Sequence, residues 1–149
     1  MKINTKVRYG LRAMIELAMH DNEHGLLQKE ICERQKIPGK YFDKIVTGLK
    51  TSGLIVNKRG KRSGYVLAKP AERISVYEIY RAFEPELSIL QCITTSGICI
   101  REDFCAGREF WERLNIEIEA IMVNETLDTL AAIQKENDLK QSAVFSFEI

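Results

Sequence analysis

The stretch from Leu27 to Ala68, LQKEICERQKIPGKYFDKIVTGLKTSGLIVNKRGKRSGYVLA, decides the fold. A short helical segment, about Leu27 to Gln35 with Ile31 facing inward, runs into the turn Ile37-Pro38-Gly39-Lys40. Beyond it Phe42, Ile45, Val46 and Leu49 recur at i, i+3, i+4 and i+7, the spacing of one buried helix face, and Gly53 supplies the stop. Two short helices joined by a tight turn predict a helix-turn-helix. Two strand candidates follow, Leu54 to Lys58 and Gly64 to Ala68. Between them Arg59-Gly60-Lys61-Arg62-Ser63 makes a flexible basic tip, so the hairpin reads as a wing. Cys32 lies beside Ile31 and reads as a small buried hydrophobe.

Working outward, Asn4 or Thr5 caps a first helix with Val7, Leu11, Met14, Ile15 and Ala18 on one face, and Gly25 ends the turn after it. Downstream, Ser75-Val76-Tyr77-Glu78 fits a capping box, so a fourth helix begins at Ser75, and Pro85 marks its end. A loop over about 86–106 carries Cys92, Cys99 and Cys105. From about 107 to 136 one long helical pattern shows Phe110, Leu114, Ile118, Ile121, Met122, Leu127, Leu130 and Ile133 as its apolar stripe. Nothing nearby in sequence covers that stripe, which predicts a second subunit. The tail QSAVFSFEI (141–149) is expected as an added strand or a loose end. The expected fold is mainly α with a small β-hairpin wing. It divides into a winged helix-turn-helix domain (1–84), a cysteine loop (85–106), and a dimerisation helix with tail (107–149).

The net charge of +1 conceals an asymmetry. Residues 1–70 hold 15 Lys+Arg against 6 Asp+Glu, and residues 71–149 hold 7 against 15. A basic head of this kind points to a polyanion partner, here double-stranded DNA. Helix-turn-helix geometry places Lys40, Tyr41, Asp43 and Lys44 at the exposed start of the second helix, where base edges are met. Lysine suits phosphate or guanine, and aspartate accepts from cytosine N4. Arg59, Gly60, Lys61 and Arg62 suit the minor groove or its phosphates. Lys6, Arg8 and Arg12 are further backbone-contact candidates.

The N-terminal stretch carries Lys6, Arg8, Arg12 and Glu16 through its apolar run, so it does not read as a secretory signal. The uncharged segment from Leu87 to Ile100 is too short to span a bilayer. A cytoplasmic protein is expected, where structural disulfides are rare and clustered cysteines read as metal-binding or redox-active. The C-x6-C-x5-C spacing of Cys92, Cys99 and Cys105 lacks the close Cys pair of structural zinc sites. Wider spacing in a loop suits a bulkier centre, with Ile93, Ile98 and Ile100 as apolar shielding. Unliganded thiols remain the alternative. No nucleophile with a base, no phosphate-binding glycine loop and no HExxH is present, so an enzyme is not expected.

KVRYGLRAM (6–14), ERQKIPGKYFDKIVTGLKTSGLIVNKRG (33–60), ISVYEI (74–79), the three-cysteine loop and Phe110-Trp111 together resemble the IscR and NsrR kind of winged-helix iron–sulfur regulators, over nearly the whole chain. The resemblance implies a homodimer with paired recognition helices, a swapped long helix, and a cluster that gates operator binding. It implies that Tyr41, Asp43 and Lys44 read bases, that Arg59 and Gly60 work in the minor groove, and that Cys92, Cys99 and Cys105 are the cluster ligands. The chain departs from the pattern at the fourth ligand. Arg108 stands where IscR-like members have histidine, and Arg8 where NsrR-like members have a carboxylate.

Glu102, Asp103, Glu109 and Glu112 lie near the loop, and water or a small thiol could also complete the site. Three thiolates with an exchangeable fourth position suit a [4Fe–4S] cluster, with [2Fe–2S] as the alternative, and Arg108 would raise its potential. His20 and His24, near the end of the first helix, read as surface residues. The expected function is a homodimeric transcriptional regulator sensing iron or cluster status, redox state or nitric oxide. A metal-free thiol/disulfide switch, or a regulator controlled by a docked partner enzyme, are its competitors.

Overall fold

A computed structural model describes residues 3–20, 24–60 and 63–147. Helix α1 (Thr5–Met19) starts where the Asn4 side chain accepts the Val7 N–H at 3.1 Å. Its face buries Val7, Ala13, Met14 and Leu17, with Leu11, Ile15 and Ala18 at the margin. Helices α2 (Gln28–Gln35) and α3 (Gly39–Thr51) form the expected helix-turn-helix. Ile31, Ile37, Phe42, Ile45, Val46 and Leu49 close with α1 over a single core. Cys32 packs at the edge of that core, half-buried, and burial pushes its thiol pKa up, with Asp43 and Glu33 adding to the effect.

Strands β1 (Ile55–Asn57) and β2 (Tyr65–Leu67) pair antiparallel, with Ile55 opposite Leu67 and Asn57 opposite Tyr65. Leu26 extends this hairpin on its other edge by exchanging backbone hydrogen bonds with Tyr65 at 3.0 and 2.7 Å. Gly64 permits that approach, since a Cβ there would lie 2.6 Å from the Leu26 backbone. A second close approach ties three helices together. Phe83, just past α4 (Val76–Arg81), inserts its ring between Gly10 of α1 and Gly48 of α3. A Cβ at these glycines would come within 2.3 and 2.6 Å of the ring.

The capping box at α4 forms as the sequence predicts. Glu78 N–H donates to Ser75 Oγ at 3.2 Å, and Ser75 N–H donates to Glu78 Oε2 at 3.0 Å. Partial burial pushes the Glu78 carboxyl up, but the Lys69 ammonium at 2.5 Å and the Ser75 N–H outweigh it and hold the pKa below its usual value. Ser75→Ala should therefore cost about 1 kcal/mol of stability, read as a lower urea midpoint with an unchanged denaturant slope.

The long helical pattern expected over 107–136 is broken. Beyond the short helix α5 (Gln91–Thr94), helix α6 (Ala106–Asn124) ends at Glu125, and α7 (Leu127–Phe147) starts afresh after a short extended segment. That segment pairs with the approach to α4: Val76 N–H donates to Glu125 O at 2.9 Å, and Leu127 N–H to Ile74 O at 2.8 Å. The break turns Leu127 back into the first core, and Ala131 one turn on is buried as well. Ile118 and Met122 of α6 pack instead on a second cluster of Val7, Tyr80 and Leu87. Phe110, Trp111, Leu114 and Ile121 stay exposed. Residues 141–147 of the tail are neither a strand nor loose, because α7 continues helical through Phe147, and the last two residues lie outside those described.

Candidate functional site

Two sites are built on this frame, the recognition helix with its wing and the cysteine loop. Lys40, Asp43 and Lys44 stand exposed on the first turns of α3, while Tyr41 is half-buried. Tyr41 meets Tyr9 of α1 edge-on, with ring centroids 5.5 Å apart, and Arg12 lies over the Tyr9 ring. Thr5, Tyr9, Pro38, Lys40, Tyr41 and Lys44 together line a cleft of about 650 Å³. Thr5 and Tyr9 escape a reading centred on α3, because only the packing of α1 against it brings them there. Gln28 escapes for the same reason. Its side-chain amide donates to Asp43 Oδ1 at 2.7 Å, fixing that carboxylate and leaving its second oxygen for another donor.

Arg59 and Gly60 sit exposed at the described edge of the wing tip, Gly60 with φ +137. Lys61 and Arg62 lie outside the described residues. At the far end of α1, Glu16 is the buried acid of this unit. It accepts from Arg34 at 3.0 Å and from Gln35 at 2.6 Å, and its carboxylate lies 3.3 Å from His20 Nδ1. These bonds join α1 to the end of α2. His20 therefore serves this joint rather than the cysteine loop.

In the loop, Cys92 falls on the short helix α5 (Gln91–Thr94) and is half-buried, whereas Cys99 is exposed. Cys105 caps α6, its Sγ accepting the Arg108 N–H at 3.4 Å. Asn115 laces the loop's start to α6, accepting from Ile89 N–H and donating to Leu87 O, both at 3.1 Å. Arg108 laces its remainder. Nε is 3.1 Å from Cys92 O, Nη1 donates to Glu102 O at 3.4 Å, and ion pairs run to the Glu102 and Glu112 carboxylates. Glu102 also accepts the Gly97 N–H at 2.6 Å. That bond first, and Arg108 with it, holds the Glu102 carboxyl below the ordinary range.

Three soft thiols suit an iron–sulfur cluster in donor chemistry. Their arrangement is open: among the described residues, no group of three or more His, Cys, Asp or Glu is disposed to hold a metal ion. Of the carboxylates near the loop, Glu102 and Glu112 are engaged by Arg108. The apolar shielding expected from Ile98 and Ile100 is not formed. Both face solvent, Ile100 at 97% exposure, because the loop packs on α6 through polar contacts instead.

Comparison with known proteins agrees with this picture. The family model Rrf2, described as an iron-dependent transcriptional regulator, matches residues 3–133. An HTH-type transcriptional regulator of Neisseria meningitidis serogroup A is 33% identical over 147 residues, spanning 99% of this chain and 97% of the relative. The structure of CymR, the global cysteine regulator of B. subtilis, superposes with a TM-score of 0.76 at 31% identity, over 89% of this chain and 98% of that one. The IscR of T. potens does so with a TM-score of 0.73 at 31% identity, over 91% and 90%.

Proposed function

The chain belongs to the Rrf2 family of transcriptional regulators, and on that premise we propose that it is a homodimeric operator-binding protein whose DNA affinity is set by the state of the Cys92, Cys99 and Cys105 loop. One observation carries the reading. The loop is seated on α6, the helix whose remaining apolar face is bare, so a change at the thiols acts directly on the element that joins two subunits. Phe110, Trp111, Leu114 and Ile121 form that face, and a second copy covers it.

In the dimer, residues 1–84 grip DNA, 85–106 sense, and 107–149 pair the subunits, with the start of α7 returning to the head. Tyr41, Asp43 and Lys44 read bases. Lys40 holds a phosphate from the same turn of α3. Arg59 and Gly60, with Lys61 and Arg62, follow the neighbouring minor groove. Two recognition helices reach successive major grooves when they stand roughly 34 Å apart. No helix among the described residues is long and apolar enough to cross a membrane, and the protein works in the cytoplasm.

Cys92, Cys99 and Cys105 would hold an iron–sulfur cluster, [4Fe–4S] ahead of [2Fe–2S]. A bound cluster supplies an anionic centre that reacts with oxidants and nitric oxide. The chain's part is to deliver the thiolates, to place the Arg108 charge beside them, and to cap α6 with Cys105. A metal-free thiol switch is the second reading, favoured by the exposed Cys99 and by donors that the chain alone does not gather.

Iron and acid-labile sulfide counted per subunit after anaerobic purification decide between the two. Coloured protein with iron matched by sulfide, lost in the Cys92→Ala/Cys99→Ala/Cys105→Ala variant, is the expected result. Protein that stays colourless after anaerobic reconstitution refutes the cluster and leaves the thiol switch.

A further inference from the structure

Arg108 lies in the first turn of α6, and its side chain is turned back onto the cysteine loop, 24% exposed. Its guanidinium engages the loop at two separated points. One is the Cys92 carbonyl at the entrance, and the other is Glu102, through both its carbonyl and its carboxylate. Glu102 in turn holds Gly97, which turns the chain at φ +80 just ahead of Cys99. Glu112, one turn further along α6, lies 3.1 Å from the same Nε that faces the Cys92 carbonyl. None of these side-chain bonds uses a sulfur atom.

We propose that Arg108 is the positioning residue of the sensor loop: it clasps the segment from Cys92 to Glu102 onto α6 without any metal, and in doing so it takes the Glu102 and Glu112 carboxylates out of the loop's set of free donors. This inference rests on the loop being the sensory element. The planar fork of arginine is essential to it, because several acceptors are met at once in fixed directions. Lysine keeps the charge but presents a single point, so it cannot hold the Cys92 carbonyl and the Glu102 acceptors together.

The test is the alkylation rate of each cysteine by iodoacetamide, read by mass spectrometry on the reduced, metal-free full-length protein. In the wild type Cys99 reacts fastest, with Cys92 and Cys105 slower. In Arg108→Ala, Cys92 should accelerate roughly tenfold towards Cys99, while Cys105, held by the Arg108 backbone N–H, changes little, and Arg108→Lys should restore little of the Cys92 protection. Cys32, packed against the core of the DNA-binding head, is the internal gauge of global unfolding and should keep its rate.

An unchanged rate at Cys92 in Arg108→Ala overturns the proposal, as does full restoration by lysine. If Cys32 accelerates too, Glu102→Gln decides, since it removes the ion pair and keeps the arginine. Faster Cys92 with a steady Cys32 then supports the clasp, and a wild-type rate refutes it. The cluster reading fails separately, on the iron and sulfide count, so the two failures are distinguishable.

Discussion

Leu127→Ala should destabilise the protein by about 2–5 kcal/mol, a large part of the total stability of a domain this size. Leu127 is fully buried (0% exposed), and it closes the same core as Phe42, Ile45 and Leu49 of the recognition helix. The cavity left by alanine cannot be filled by sliding α7, because the Leu127 N–H is held by Ile74 O at 2.8 Å. Chemical denaturation should show a much lower midpoint. Operator binding should fall with it at temperatures where the variant begins to unfold. A midpoint within the error of the wild type would mean that α7 does not belong to the core of the head.

Arg59→Ala should weaken operator binding by about 1–3 kcal/mol for each subunit. The proposed dimer carries the substitution twice, so affinity should fall roughly thirtyfold or more at fixed salt. The slope of log affinity against log salt should become shallower by about 2, because each subunit then neutralises one phosphate fewer. Folding should be untouched, because Arg59 is exposed at the described edge of the wing tip. Titration of the variant and the wild type across a series of salt concentrations checks both statements. Equal affinity and equal slope would take the wing out of the DNA interface.

What could be read from the sequence follows a physical line between local and distant causes. The helix-turn-helix, the Gly53 stop and the Ser75–Glu78 box rest on neighbours a few residues apart, and all three are formed. The break at Glu125 was hidden because the apolar stripe runs through it, with Ile121 and Met122 before and Leu127 and Leu130 after. Thr126 and Asp128, whose side chains bond at 2.5 Å at the start of α7, were the available signal. Their short polar groups can equally sit on the exposed side of a continuous helix. Pairing of Leu26 with Tyr65, and of Gln28 with Asp43, joins residues far apart in the chain and left no pattern to find. At the cysteine loop the donors were legible one by one. How Arg108 draws the loop onto α6, and which isoleucines it leaves in solvent, depends on the folded path of the backbone.

The ring of Phe83, seated between Gly10 and Gly48, has a mechanical consequence. It acts as a key in a slot cut across two helices. Neither α1 nor α3 can slip along the other unless the ring is first withdrawn, and the Glu16 joint with Arg34 and Gln35 pins α2 to the same block. The three helices are thus locked into one stiff jaw. In the proposed dimer a change at the thiols would reach DNA by altering how far apart two such jaws stand, so the regulated quantity in that reading is a gauge between rigid bodies rather than the shape of either one.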